Sequence, residues 1–279
     1  MWYIYREVRV MAIITKITVQ KKNTERYNIF LDHGKGEEYA FSVDEDVLIK
    51  FNLKKGLELD DFALMEINYH DDIRKAYNLA IHFLSRKMRS EQEVRKYLAE
   101  KEVEAPVIQE VIYKLNEYQF LNDEEYALAF VRTQMNTTDK GIEVIRRELK
   151  EKGIAPALME QALKEYPFER QVEKATELWT KVLKKGSHES ERMAKQKAEQ
   201  HLIRKGYPFE VITVAAEAHD ELKDVDEEMN ALRFQGEKAH RKYAQYDGYE
   251  YEQKMKQALY RKGFSLDMIA QFLEEMKNR

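Results

Sequence analysis

One short pattern recurs four times along this chain and limits what it can fold into. Leu98-Ala99-Glu100-Lys101-Glu102-Val103, Leu149-Lys150-Glu151-Lys152-Gly153-Ile154, Leu202-Ile203-Arg204-Lys205-Gly206-Tyr207 and Leu259-Tyr260-Arg261-Lys262-Gly263-Phe264 align without gaps. Apolar pairs follow at fixed offsets: Val107/Ile108, Leu158/Met159, Val211/Ile212 and Met268/Ile269. A second set comes four residues later, Val111/Ile112, Ala162/Leu163, Ala215/Ala216 and Phe272/Leu273. The spacings of 51, 53 and 57 residues exceed a two-helix repeat and suit three helices per unit.

The pattern has a physical reading. Leu-x-x-Lys is the last turn of a helix. Glycine takes the left-handed position just past it, where a Cβ is disfavoured, and the next apolar residue packs back on that turn. Pro106, Pro156 and Pro208 then fall at the first turn of the following helix, where a missing N–H costs nothing. In the first unit Glu102 stands in place of the glycine, so that junction is expected to be strained or differently capped. Ser90-Glu91-Gln92-Glu93 reads as a capping box, Asn122 to Glu125 has the same geometry, and Gly141 aligns with Ser90. These signals divide the helical part into units at 59–121, 122–166, 167–222 and 223–279.

Residues 1–58 differ. Ile13–Val19 is β-branched and alternating, and Tyr27–Leu31 and Glu38–Ser42 read as two more strands, with turns at Asn23-Thr24 and Asp32–Gly36. Val43–Asn52 reads as a short helix. The expectation is a small α+β module with a three-stranded meander, in which residues 1–10, ahead of Met11, are a candidate extension. The fold class is therefore mainly α: an elongated tandem array of three-helix repeats behind a β-rich N-terminal module. With 10 Gly and 4 Pro in 279 residues, there is little material for the tight turns of a sandwich or barrel.

Chemistry is conspicuous by what is missing. With no cysteine, disulfide scaffolds, Cys-ligated metals and Cys nucleophiles are excluded, and a reducing cytosol fits. There is no phosphate-binding glycine loop and no HExxH. The seven histidines are scattered, with no i, i+4 pair. The acid pairs Asp60-Asp61, Asp71-Asp72 and Glu124-Glu125 read as helix-start residues complementing the dipole. Tyr97, Tyr113, Tyr118 and Tyr126 sit at apolar-periodic positions and read as packing residues. No catalytic, metal or cofactor site is expected. No apolar run approaches the ~18–20 residues of a membrane span.

The positive signal is basic. The net charge of −4 hides local concentrations: between Lys181 and Gly206 there are 8 bases and 3 acids. Arg95/Arg146 and Lys96/Arg147 align between the first two units, mid-helix and off the apolar stripe formed by Ile142, Ile145 and Leu149. Arg86, Lys87 and Arg89 precede the capping box, and Lys150 follows Arg147. Arg86, Lys87, Arg89, Arg95, Lys96, Arg146, Arg147 and Lys150 are the candidate anion-facing surface. Lys195, Lys197, Arg204, Lys205, Arg261 and Lys262 form a secondary cluster. Lys101, Lys152, Lys205 and Lys262 share one repeat position, where dipole complementation weighs more than ligand binding.

Three of these stretches, in order, resemble the RecX family, regulators of the RecA recombinase. They are Leu84 to Leu98, Leu121-Asn122-Asp123-Glu124-Glu125-Tyr126-Ala127, and Lys140-Gly141 through Glu148-Leu149 to Lys152-Gly153-Ile154. The resemblance covers about residues 80–165; later units match through Lys-Gly-aromatic and helical period. It implies a non-enzymatic cytoplasmic protein that binds the RecA–single-stranded-DNA filament and limits recombination and coprotease activity. It implies only weak, sequence-independent DNA contact. The absence of sustained heptads suggests a monomer. From the residues alone, two other readings stand: a helical-repeat adaptor that binds protein only, and a helix-turn-helix DNA-binding regulator.

Overall fold

The computed structural model describes residues 11–186, 188–220 and 225–277. The candidate extension at 1–10 and the boundary at 222/223 lie outside the described residues. The chain divides after Tyr126 into two compact units.

The first unit begins with an antiparallel sheet. Strands β1 (Ala12–Val19), β2 (Arg26–Asp32), β3 (Glu37–Asp44) and β4 (Glu58–Leu59) lie in the order β3-β2-β1-β4. The sequence gives three of these. The fourth escapes because two residues carry no alternation, yet it pairs Leu59 with Ala12 and closes the free edge of β1. Ile14, Ile29, Leu31 and Val43 pack one face of the sheet against Val47 of helix α1 (Glu45–Lys50) and Ile67 of α2 (Asp61–Leu84).

α2 serves two cores. Its first half covers the sheet. Its second half places Ile73, Ala76 and Ala80 against α3 (Glu91–Glu100) and α4 (Ala105–Glu117), where Val94, Leu98, Val111 and Leu115 complete the first three-helix core. Asp60 caps α2 by accepting the Ala63 N–H at 2.8 Å. Asp71-Asp72 is not a helix start: both residues lie in the middle of α2. Asp71 is 1% exposed and accepts both arms of Arg26 at 3.2 and 2.8 Å, Lys75 at 2.9 Å and the Asp44 N–H at 2.8 Å. The carboxylate thus ties β2 and β3 to α2. Burial alone pushes its carboxyl up, but Arg26, Lys75 and the Asp44 amide together hold it below the usual carboxylate range.

In the second unit, three-helix groups follow one another: α5 (Asp123–Thr137), α6 (Ile142–Glu151) and α7 (Pro156–Leu163); then α8 (Phe168–Lys185), α9 (Glu191–Lys205) and α10 (Phe209–Asp220); then α11 (Val225–Tyr243), α12 (Gly248–Arg261) and α13 (Leu266–Lys277). All four junctions close alike. The N–H groups of Val103, Ile154, Tyr207 and Phe264 reach the carbonyls of Leu98, Leu149, Leu202 and Leu259 at 3.1–3.4 Å, the long bond of a Schellman cap. Glu102 adopts φ 61°, the same left-handed turn that Gly153 (76°), Gly206 (85°) and Gly263 (93°) adopt freely. The first junction therefore keeps its geometry and carries strain.

Successive middle helices in this unit dock on the backbone carbonyls that end the later helix. The Gly141 N–H donates to the Lys205 carbonyl at 2.8 Å, and the Glu143 N–H donates to that of Gly206 at 3.0 Å. One repeat on, the Ser190 hydroxyl donates to the Lys262 carbonyl. The start of one middle helix thus satisfies an orphan carbonyl at the end of the next.

Candidate functional site

α3 and α6 are equivalent helices. Val94 and Leu98, like Ile145 and Leu149, are fully buried at i, i+4 and fix the rotation of each helix. Ser90 caps α3 as a full capping box, while the Gly141 N-cap of α6 makes no side-chain bond and uses its backbone for docking instead.

That rotation sorts the cations into two kinds. Arg95 donates to Glu91 at 2.7 Å and to Gln109 of α4 at 3.1 Å. Arg146 pairs with Glu143 at 3.4 Å and with Glu160 of α7. In both repeats this arginine reaches a partner 14 residues later and straps the middle helix to the third. Lys96 and Arg147, one position on, are exposed, and neither has an ion pair among the described residues. Among the described residues Lys87 and Lys150 are likewise exposed and without an ion pair, and Arg86 bonds the His82 ring nitrogen alone, at 3.4 Å. Arg89 stacks on Phe83, 4.1 Å from its centroid, and faces Glu93 at 3.6 Å. Of the eight candidates, Arg89, Arg95 and Arg146 are engaged within their own unit, and Arg86, Lys87, Lys96, Arg147 and Lys150 are available.

The secondary cluster sorts the same way. Lys195 pairs with Glu191 at 2.9 Å and Lys197 with Glu189. Lys262 donates from Nζ to Gln235 at 2.8 Å. Arg204 and Arg261 are exposed and have no ion pair among the described residues, and Lys205 is half-buried, with its carbonyl in the repeat docking. Burial, followed by the charges of Lys205 and Arg204, depresses the His201 pKa. Two of the four tyrosines read as packing are not buried: Tyr113 and Tyr118 are 63% and 60% exposed. Tyr126 is buried and Tyr97 stacks on Phe83 with centroids 4.1 Å apart. Among the described residues no group of three His, Cys, Asp or Glu side chains is placed to hold a metal, and no helix is long and apolar enough to cross a membrane.

Sequence profiles of known families match nearly all of this architecture. The N-terminal domain of regulatory protein RecX matches residues 12–60, the first RecX three-helix domain 76–115, and the second 122–163. The third three-helix domain matches twice, at 169–215 and 226–273. The chain belongs to the RecX family. The regulatory protein RecX of Bacillus velezensis (strain FZB42) is 51% identical over 266 residues, spanning 95% of this chain and 99% of its own length. That of Bacillus subtilis (strain 168) matches to the same extent. A crystal structure of regulatory protein RecX superposes with TM-score 0.65 at 37% identity, covering 74% of this chain and 99% of its own. RecX from Lactobacillus salivarius gives 0.53 at 38% identity, over 54% and 98%. The double match identifies the fourth repeat as a second copy of the RecX third domain.

Proposed function

We propose that this chain binds the RecA–single-stranded-DNA filament and restrains the recombinase, its ATPase and its coprotease activity in DNA repair and the SOS response. It acts in the cytoplasm as a monomer, needs no cofactor and catalyses no reaction. Membership of a family whose relatives are named regulatory proteins supports the class of role. The observation that carries the site is the sorting of cations. Where two repeats align, the tethered arginines Arg95 and Arg146 are each followed by an exposed, unpaired cation, Lys96 and Arg147.

In this reading Arg86, Lys87, Lys96, Arg147 and Lys150 meet phosphate or acidic protein surface. Arg89, Arg95 and Arg146 hold the helices that present them. Flexible cations on phosphates carry no base readout, so DNA contact is sequence-independent. The module at 1–58 and the repeats at 59–121, 122–166, 167–222 and 223–279 are the proposed working divisions.

The test is RecA ATPase on single-stranded DNA, with this protein added at substoichiometric amounts. ATP hydrolysis falls if the proposal holds. No effect at equimolar protein refutes it. If about four phosphates are contacted, log K against log salt has a slope near −2.8.

A further inference from the structure

The first unit holds another concentration of positive charge, away from α3. α1, α2 and the end of α4 enclose a cleft of about 370 Å3, within the range of small-ligand sites. Lys50 enters it from α1, His70, Arg74 and Tyr77 from α2, and Lys114 and Tyr118 from the end of α4. Arg74 pairs with Asp44 at 3.2 Å and, at 2.8 Å, with Asp46, the one carboxylate on the cleft wall among the described residues, so these charges offset one another. Lys50 and Lys114 have no carboxylate in ion-pair range among the described residues. Lys140, by contrast, pairs with Glu148 at 2.6 Å.

The Lys50 ammonium lies 3.0 Å from Nε2 and 3.2 Å from Nδ1 of His70, whose ring packs on Phe51 with centroids 5.3 Å apart. Burial lowers the His70 pKa most, and Lys50 and Lys114 lower it further; Glu66 on its own helix and Glu110 on α4 act weakly in the opposite sense. The cleft thus presents two ammonium groups without counter-ions and an imidazole held neutral. On its wall are two phenol rings, one of them, Tyr118, 60% exposed.

We propose that this cleft binds the phosphate of a nucleotide or of a nucleic-acid strand, with Lys50 and Lys114 as its charged donors and Tyr77 and Tyr118 against the sugar or base. A phosphate supplies the missing counter-charge through charge-assisted hydrogen bonds. Tyrosine rings accept any base face without sequence preference. A glutamate-rich peptide offers charge but no aromatic ring for the tyrosines to stack on.

The site is independent of the filament proposal, and its test contains no RecA. The His70 ring signal of the full-length protein, assigned with His70→Gln, is followed by NMR against pH. The probes are inorganic phosphate, ADP, oligothymidylate and a glutamate-rich peptide. Bound phosphate offsets the two lysines, so the His70 midpoint rises with ADP or oligothymidylate. Lys50→Gln/Lys114→Gln raises the half-saturating probe concentration about tenfold or more. Saturation at lower ADP than oligothymidylate identifies a free nucleotide, and the reverse identifies a strand. The proposal is overturned if no phosphate probe moves His70, if the double variant responds like the parent, or if the peptide binds more tightly than either nucleotide probe.

Discussion

Gly141→Ala adds one methyl group at the point where two repeats of the second unit meet. Gly141 sits at φ −78°, ψ 167°, extended backbone open to any residue, so conformational strain is nil. Alanine is a poorer N-cap than glycine by about 1 kcal/mol, and the reduced freedom of the unfolded chain returns roughly 0.4–1 kcal/mol. These two nearly cancel, which leaves the contact. The new Cβ would stand 2.5 Å from the Tyr207 nitrogen and closer still to the Gly206 carbonyl, all backbone atoms, whereas ordinary contact begins at 3.4 Å. Relief requires the two backbone segments to part by about 1 Å. That stretches the 2.8 and 3.0 Å bonds from Gly141 to Lys205 and from Glu143 to Gly206 beyond bonding range. Two backbone bonds at about 1–1.5 kcal/mol each give a loss of about 2–3 kcal/mol. Urea unfolding of the full chain measures it, and the thermal unfolding midpoint of that unit falls by about 4–12 °C. Gly186→Ala is the control: its Cβ would meet nothing closer than the Leu183 carbonyl at 3.4 Å, so stability is kept or rises by up to about 1 kcal/mol. A loss below about 1 kcal/mol in Gly141→Ala would refute backbone docking of the repeats.

Glu102→Gly relieves the left-handed strain of the first junction and stabilises the first unit by about 1 kcal/mol, read by urea unfolding; no gain means the Glu102 turn carries no strain. Asp71→Asn leaves Arg26 and Lys75 facing an amide and costs about 3 kcal/mol at pH 7. Because the folded carboxyl titrates below its unfolded counterpart, its stabilisation is full above the unfolded pKa of about 4 and drains as pH falls through the folded value. The gap between parent and variant therefore closes in acid, and a pH-independent gap would contradict the ion-pair account.

The three-helix period and the junction glycines were legible because a Schellman cap needs a residue tolerant of positive φ followed by an apolar one, and the chain supplies that pair repeatedly. Capping at Ser90, Asn122 and Asp60 was legible for a similar reason: a local hydrogen bond has a local signature. Asp71 was misread, since an acid pair looks the same at a helix start as at a buried tie to a distant sheet. Its partner Arg26 is 45 residues away. The division between Arg95 and Lys96 was also hidden. Arginine and lysine side by side look equivalent until the third helix brings Gln109 or Glu160 to one of them. A shared offset of 14 between cation and acceptor in both repeats was the available signal. The cleft around Lys50 and Lys114 had no signal in the sequence, because its walls come from three helices on either side of the expected module boundary.

The central claim is that the exposed cations meet the filament while their tethered neighbours hold the repeats. Fluorescence anisotropy of RecA filaments on labelled single-stranded DNA, with Lys96→Ala/Arg147→Ala set against the parent, tests it most directly. The account predicts affinity at least about tenfold weaker, a salt slope shallower by about 1.4 for two lost contacts, and an unchanged unfolding midpoint. Parental affinity in the folded double variant would contradict it.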